Sequence, residues 1–398
     1  MDSVDPPNHR RKHNEGDPQP RHGDAMTGGA KVLCLPDWRE SNPYQSLLQQ
    51  SMEALGLRVF FSGIPGGTFP LLRCWWRAGG PEVVHLHWSN ELIGPCIWPR
   101  SKVVRDIRRR LMVLDVWILK RLGVQVVWTI HNLVAHESAG RELEFSARRA
   151  LARVVDRVIV HSGGALRQIR QAYAGNDLPD HRVAVVPHGN YDGCYPPNPA
   201  FKSELSARWG LGPETTTILF FGAIRPYKGL ERLLSAFSQT QRPDLKLIVA
   251  GRPSDATVRE LVDSAIRQDP RIVALLDFIA DEQVAPLFEL ADVVAIPFER
   301  ALTSGSAVLA MTFGKALILP ELARELEFAA EGGCLYFDAD SKLAELLESL
   351  SRSSLQGMGL MNRRMAAARS WGRVASDTRN AYRQGVANSS LAQGTPRE

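Results

Sequence analysis

Short, nearly unbroken runs of Val, Ile and Leu recur along the chain, each followed by an amphipathic stretch, and this alternation restricts the fold more than any other feature. Runs such as Arg157–Val160 and Leu245–Ala250 offer no polar face to water, so their strands must be covered on both sides. Parallel sheets wrapped by helices meet that demand. A first set of strands is expected at Lys31–Leu35, Arg58–Ser62, Val83–His87, Val124–Ile130, Arg157–Val160 and Val183–Val186. Asn190–Phe201, with three prolines, reads as a linker. A second set follows at Thr217–Phe221, Leu245–Ala250, Ile272–Leu275, Val293–Ile296 and Ala316–Leu319. At 398 residues the chain suits two cores better than one. The expected organisation is a disordered tail over 1–28, with Met26 a candidate start, and doubly wound domains over 29–195 and 196–365. A C-terminal helix over 366–388 crosses both domains, and a tail covers 389–398. Ligands of such sheets bind beyond the carboxyl ends of the strands, which makes a cleft between the domains the expected site.

Charge adds a partner. The segment 98–122 carries eight basic residues against Asp106 and Asp115, a net +6 in a chain that totals +5. Its apolar positions Val103, Val104, Ile107, Leu111, Leu114, Trp117 and Ile118 recur at helical spacing, with Arg108, Arg109 and Arg110 on the flank. That pattern suits an anionic membrane surface; the alternative is a solvated basic face over a fully buried apolar one. No nucleic-acid partner is expected. No run of eighteen apolar residues suits a membrane span, and the N-terminal residues lack the apolar core of a signal peptide. Cys34, Cys74, Cys96, Cys194 and Cys334 are scattered and odd in number, which favours free thiols in a reducing cytoplasm and disfavours a zinc site.

The densest chemistry lies in Phe220–Leu230, FFGAIRPYKGL. An apolar strand ends at Gly222, two cations follow at Arg225 and Lys228, and a helix opens at Gly229. Close backbone approach, free helix amides and two positive charges together make a diphosphate cradle. A plain strand–turn–helix with solvated cations is the alternative.

This stretch resembles the donor-phosphate motif of the large retaining GT-B glycosyltransferase family that includes bacterial phosphatidylinositol mannosyltransferases and many exopolysaccharide enzymes. Leu245–Gly251 (LKLIVAG), Leu287–Phe298 (LFELADVVAIPF) and Ala310–Ile318 (AMTFGKALI) resemble later family segments in the same order. In the N-terminal half Trp128–His131 looks like the strand whose terminal His meets the donor sugar, and Asp156–Ser162 (DRVIVHS) looks like a later family strand. The resemblance implies two Rossmann-like domains facing a central cleft, a nucleotide sugar as co-substrate, and no bound metal or other cofactor. It places Gly222, Arg225, Lys228 and Gly251 on the donor.

One departure matters. The family's paired Glu residues fall in register on Ala301 and Leu309, with Thr303-Ser304-Gly305-Ser306 between them. Hydroxyls and helix amides there are expected to hold phosphates in place of a carboxylate, and Glu299 is the candidate substitute acid. His85-Leu-His87-Trp88 and His131-Asn-Leu-Val-Ala-His136 end two strands at the cleft and resemble an exopolysaccharide subgroup that contains mannosyltransferases. His131 and Glu299 are therefore the catalytic candidates, and Trp38, Asn42, His87 and His136 the acceptor-side ones. Trp38 and Tyr191, within the stretch His188-Gly-Asn-Tyr191, read equally as turn residues. The implied activity is transfer of a sugar from GDP-mannose, or second UDP-glucose, to a lipid-linked saccharide, on the cytoplasmic face of the plasma membrane. A nucleotide-sugar 2-epimerase and an inactive nucleotide-sugar-binding protein are the rivals.

Overall fold

The computed structural model describes residues 29–40, 42–134 and 141–391. The tail expected at 1–28, with Met26, residues 392–398 of the tail expected at 389–398, and the acceptor candidate His136 lie outside the described residues, whereas 389–391 continue the last helix.

The apolar runs form two six-stranded sheets, parallel throughout. The first contains β1 (Lys31–Leu35), β2 (Arg58–Phe61), β3 (Val83–Leu86), β4 (Gln125–Thr129), β5 (Arg157–Val160) and β6 (Val183–Val185), in the order β2-β1-β3-β4-β5-β6. The second contains β7 (Thr216–Phe221), β8 (Leu245–Ala250), β9 (Ile272–Leu275), β10 (Val293–Ala295), β11 (Ala316–Pro320) and β12 (Cys334–Phe337), in the order β12-β11-β10-β7-β8-β9. β12 has no counterpart in the sequence reading. Its CLYF segment is short, lies at the sheet edge and keeps two residues half exposed, so it lacks the apolar run that marks the others. Each sheet reverses its winding once, between β1 and β3 in the first and between β7 and β10 in the second. Loops leaving those four strands splay apart at the reversal and open a crevice at the carboxyl ends.

Near its end the chain crosses back from the second half to the first. The helix Arg352–Ala367 packs on the helix Gly305–Thr312 and on β11. The helix Trp371–Leu391 then returns to the first sheet, against the helix Pro43–Ala54 and strands β4 and β5. Trp371 sits in the N-terminal core and donates through its indole N–H to Asn190 O at 2.5 Å. Gly189 makes room for that ring, because a Cβ there would fall 2.4 Å from the indole. Across the halves, Tyr191 N donates to Thr312 Oγ1 at 3.1 Å, and Arg167 pairs with Glu327 at 2.6 Å.

The basic segment is a helix over Lys102–Arg121, begun by Ser101, whose hydroxyl accepts from Val104 N. Its inward stripe is Met112, Asp115, Val116 and Leu119. Val103, Val104, Ile107, Leu114 and Trp117 point outward, from 40% to 67% exposed, so most of the apolar residues named from the sequence do not cover the sheet. Asp115 is no surface counter-charge. It is buried and accepts from the amides of Leu71 and Leu72 at 2.8 and 3.0 Å, capping the helix Pro70–Arg77. Burial pushes its carboxyl above the usual range, and those two bonds oppose the shift. No described helix is long and apolar enough to cross a membrane.

Candidate donor and acceptor cleft

A cavity of about 520 Å³ lies where the two sets of strand ends face each other. The N-terminal half contributes Trp38 and Asn42 after β1, Trp88 after β3, His131 after β4 and His188 after β6. The C-terminal half contributes Arg225 and Lys228 after β7, and Arg300 through Ser306 after β10, apart from Leu302.

The cradle is built around one bare backbone position. Gly222 ends β7 at φ +101°, a conformation that costs glycine nothing and strains other residues. A Cβ there would sit 3.1 Å from Lys228 Nζ and 3.6 Å from Ser306 Oγ, so an ammonium and a hydroxyl converge on the space a side chain would fill. Gly229, at φ +73°, lets the intervening turn lie on Pro297, whose carbonyl a Cβ would meet at 2.0 Å. Desolvation, followed by the charge of Arg225, lowers the Lys228 amine to about 8. A second loop closes the cradle at the start of the helix Gly305–Thr312. The Ser304 hydroxyl is its N-cap and accepts from Ala307 N at 3.2 Å, which leaves the amides of Gly305 and Ser306 outside that cap. Thr303 Oγ1 is buried at the cavity wall without a hydrogen-bond partner among the described residues. Gly305 packs close to Tyr191, whose hydroxyl lies 3.1 Å from where its Cβ would be.

No Asp or Glu is among the described residues that line the cavity, while Arg225, Lys228 and Arg300 are. Arg300 was not singled out from the sequence; its only signal is a third cation beside the donor loop. Ala301 stands at the wall and Leu309 is buried in the apolar core, where the family register puts its two carboxylates. Glu299 does not replace them in this geometry: it is exposed, does not line the cavity, and its N–H donates to Tyr227 O. Gly251 does not line the cavity either. A Cβ on it would lie 2.1 Å from Gly222 O, so it serves the close passage of β8 past the cradle.

Behind the N-terminal wall the strand-end histidines form a chain. His87 Nδ1 meets His131 Nε2 at 3.2 Å, His131 Nδ1 meets His161 Nε2 at 3.1 Å, and His161 Nδ1 meets the carbonyl of Val186 at 2.9 Å. Burial holds all three below the ordinary histidine range, His161 at about 4, so each ring is neutral and carries one proton. A carbonyl only accepts, which fixes every proton in turn: His161 donates to Val186, His131 donates to His161, and His87 donates to His131. The line ends at His87 Nε2, a buried lone pair without a partner. His87 is thus sealed behind His131 and does not reach the cavity. His131 does reach it, yet both its nitrogens are engaged, and Trp88 stacks on its ring at 4.4 Å with Trp38 stacked on Trp88 at 4.9 Å. The sequence reading has His131 meeting a sugar through the imidazole; the chain of bonds leaves it a ring face and edge. Asn42 lines the cavity and also caps the helix Pro43–Ala54 by accepting from Tyr44 N at 2.9 Å. His85 is wholly internal, held by Thr129 Oγ1 at 2.7 Å and by the Tyr382 hydroxyl at 2.8 Å. Cys34, His85 and His87 cluster closely enough to suggest a metal site, but His85 spends both nitrogens on those bonds.

Two parallel sheets with a crevice at their facing strand ends define the GT-B architecture. The chain superposes on a sucrose-phosphate synthase from Thermosynechococcus elongatus with a TM-score of 0.69 at 17% identity, covering 91% of this chain and 100% of the other. It superposes on HepE of Anabaena in complex with UDP with a TM-score of 0.65 at 14% identity, covering 89% and 99%. Residues 215–353 match the family Glycosyl transferases group 1. A GDP-mannose:glycolipid 4-beta-D-mannosyltransferase from Xanthomonas campestris is 30% identical over 258 residues, 63% of this chain and 65% of that protein. A D-inositol 3-phosphate glycosyltransferase from Segniliparus rotundus is 24% identical over 359 residues, 83% of this chain and 75% of that one. By that match and these relatives the chain is similar to the group 1 glycosyltransferases. The match spans a little under two thirds of the length of the Xanthomonas relative.

The lowered Lys228 amine gives a pH signature. Its conjugate acid is lost as pH rises through about 8, so affinity for an anion resting on it falls above that pH and is full below it. A bound diphosphate favours the charged form, and calorimetry of GDP or UDP near pH 8 in buffers of different ionisation enthalpy should register proton uptake. A uniform affinity between pH 7 and 9.5, with no proton uptake, would remove Lys228 from the anion site.

Proposed function

We propose that the chain transfers a glycosyl group from a nucleoside diphosphate sugar to a hydroxyl of a lipid-linked saccharide. One observation carries the reading: Lys228 Nζ and Ser306 Oγ converge over Gly222 in a cavity that no described carboxylate lines. Cleavage of the anomeric C–O bond leaves the electron pair on a diphosphate, and the dominant demand is to stabilise that charge. Lys228, Arg225 and the start of the helix Gly305–Thr312 provide cations and dipole on one side of the cavity. Thr303 Oγ1, buried and unpartnered, is a further donor for a phosphate oxygen. His131 shapes the donor-sugar wall through its ring. GDP-mannose is the favoured donor, since the Xanthomonas relative is named for it, and UDP-glucose is the second choice. The missing carboxylates also suit a nucleotide-sugar-binding protein without turnover, and an epimerase would need no acceptor.

Nucleotide binding should stabilise the native state and raise its melting temperature. GDP or UDP should shift the wild type by several degrees, Lys228→Ala by much less, and Gly305→Val by little, because its added bulk stands at the helix start and against Tyr191. Equal shifts in all three proteins would place the nucleotide elsewhere.

The acceptor class connects to the basic helix. Val103, Val104, Ile107, Leu114 and Trp117 lie exposed among its arginines, and Trp98 just before it is 74% exposed. This face suits an anionic bilayer: each basic side chain near the leaflet adds roughly 1 kcal/mol, and the apolar residues reach the interface. The reading puts the protein on the inner face of the plasma membrane, beside a lipid-tethered acceptor. Wild type should pellet with anionic vesicles at low salt and release at high salt, and the triple change Arg108→Glu, Arg109→Glu, Arg110→Glu should abolish pelleting. Equal binding to neutral and anionic vesicles, or to neither, would refute the docking.

A further inference from the structure

Of the two histidines among the described residues of the cavity wall, His131 and His188, only His188 keeps a ring nitrogen for a ligand. Its Nδ1 lies 2.8 Å from the carbonyl of Gly189, which can only accept, so the proton of the neutral ring is on Nδ1. Its Nε2 is then a bare lone pair. That atom has no hydrogen-bond partner among the described residues, yet it is not sealed from solvent as His87 Nε2 is, and the residue lines the cavity. The ring cannot swing away to find another partner. Tyr44, His161, Tyr191 and Trp371 surround it with ring centroids at 4.9, 5.5, 5.7 and 6.3 Å. His131 is in the opposite position, with both nitrogens committed to the chain that ends on Val186.

We infer that His188 is a substrate-binding residue, whose Nε2 accepts a hydrogen bond from a hydroxyl of the saccharide acceptor. The acceptor is favoured over the donor's diphosphate because His188 sits on the N-terminal wall, whereas the cradle at Gly222 and Lys228 is on the C-terminal one. The ligand group must be a donor, since an acceptor or anion would face a lone pair. Burial supports the arrangement, because it keeps the ring neutral over the working pH range at about 3. The inference rests on the glycosyl-transfer reading for what enters the cavity, but the tautomer and the unpartnered nitrogen do not depend on it.

The test uses the full chain with ¹⁵N-labelled histidine and octyl glycosides as soluble surrogates for a lipid-linked saccharide. In the free protein the His188 resonances should show a protonated Nδ1 and a bare Nε2. Adding octyl α-mannoside or octyl β-glucoside to GDP- or UDP-saturated protein should move Nε2 toward a hydrogen-bonded value, and the nucleotide alone should not. His188→Asn keeps a group where Nδ1 was and removes the acceptor. It should raise the KM for the octyl glycoside about tenfold, the scale of one lost hydrogen bond, with kcat changed less. His188→Gln places an amide oxygen near the Nε2 position and should recover most of that loss. Nucleotide affinity should be the same in all three proteins. A protonated Nε2 in the free protein, an Nε2 resonance that moves with nucleotide alone or with neither glycoside, or an unchanged KM in His188→Asn would overturn the assignment. Failure of GDP and UDP to bind the wild type would instead strike the glycosyl-transfer reading, and is observed separately from the histidine resonance.

Discussion

A lysine ammonium held over the unsubstituted backbone of Gly222 is the interaction on which the rest of the site depends. Removing it from water weakens its own charge, and the neighbouring guanidinium weakens it further. An anion resting on it would restore the charged form. Everything around it serves the approach. Gly229 lets the turn settle on Pro297, Gly251 lets the neighbouring strand pass, and Ser304 fixes the helix start by capping it. A family member with carboxylates at the positions of Ala301 and Leu309 would place negative charge near this cluster; here the described wall carries cations and no carboxylate.

The opposite wall is organised by proton bookkeeping. One backbone carbonyl, Val186 O, sets the tautomer of three imidazoles in succession and so decides what each can offer. Tyr44 packs edge-on against four of the five histidines of the cluster and keeps their rings in register. The fifth, His85, is gripped by Tyr382 from the last helix, 297 residues along the chain. The C-terminal crossing helix therefore stabilises the layer directly beneath the N-terminal wall, and Trp371 does the same beside His188. This layer holds the N-terminal wall of the cavity on strands and helix starts.

Much of this was legible in the sequence, for identifiable reasons. Buried parallel strands must be continuous apolar runs, so the strands of both sheets could be read except β12, whose half-exposed edge position relaxes that requirement. The cradle was legible because its parts are local: Gly222, Arg225 and Lys228 lie within one turn, and the structure brings Ser306 and Thr303 to the same cavity. The Lys102–Arg121 helix was legible, but which residues it buries was not, since Asp115 reads as a surface charge until the amides of Leu71 and Leu72 are placed against it. The histidines were visible as strand-end residues. Their division of labour was not, because it depends on hydrogen bonds between β3, β4, β5 and β6 that spacing along the chain does not encode. His161 and His188 end their strands in the segments DRVIVHS and His188–Tyr191, and spacing alone does not single them out for that reason. Glu299 and Gly251 sit one step from the cavity, a distance that a sequence register cannot distinguish from contact.

The account as a whole stands on a sugar leaving a nucleoside diphosphate within this cleft. The most direct measurement incubates the purified chain with GDP-[¹⁴C]mannose or UDP-[¹⁴C]glucose and a lipid extract containing polyprenyl-diphosphate saccharides, following label into the organic phase and nucleoside diphosphate in the aqueous one. The account predicts that one donor labels the lipid, that nucleoside diphosphate is released in equal amount, and that both signals disappear with Lys228→Ala. Tight binding of a nucleotide sugar with neither transfer nor release, or turnover undiminished by Lys228→Ala, would contradict it.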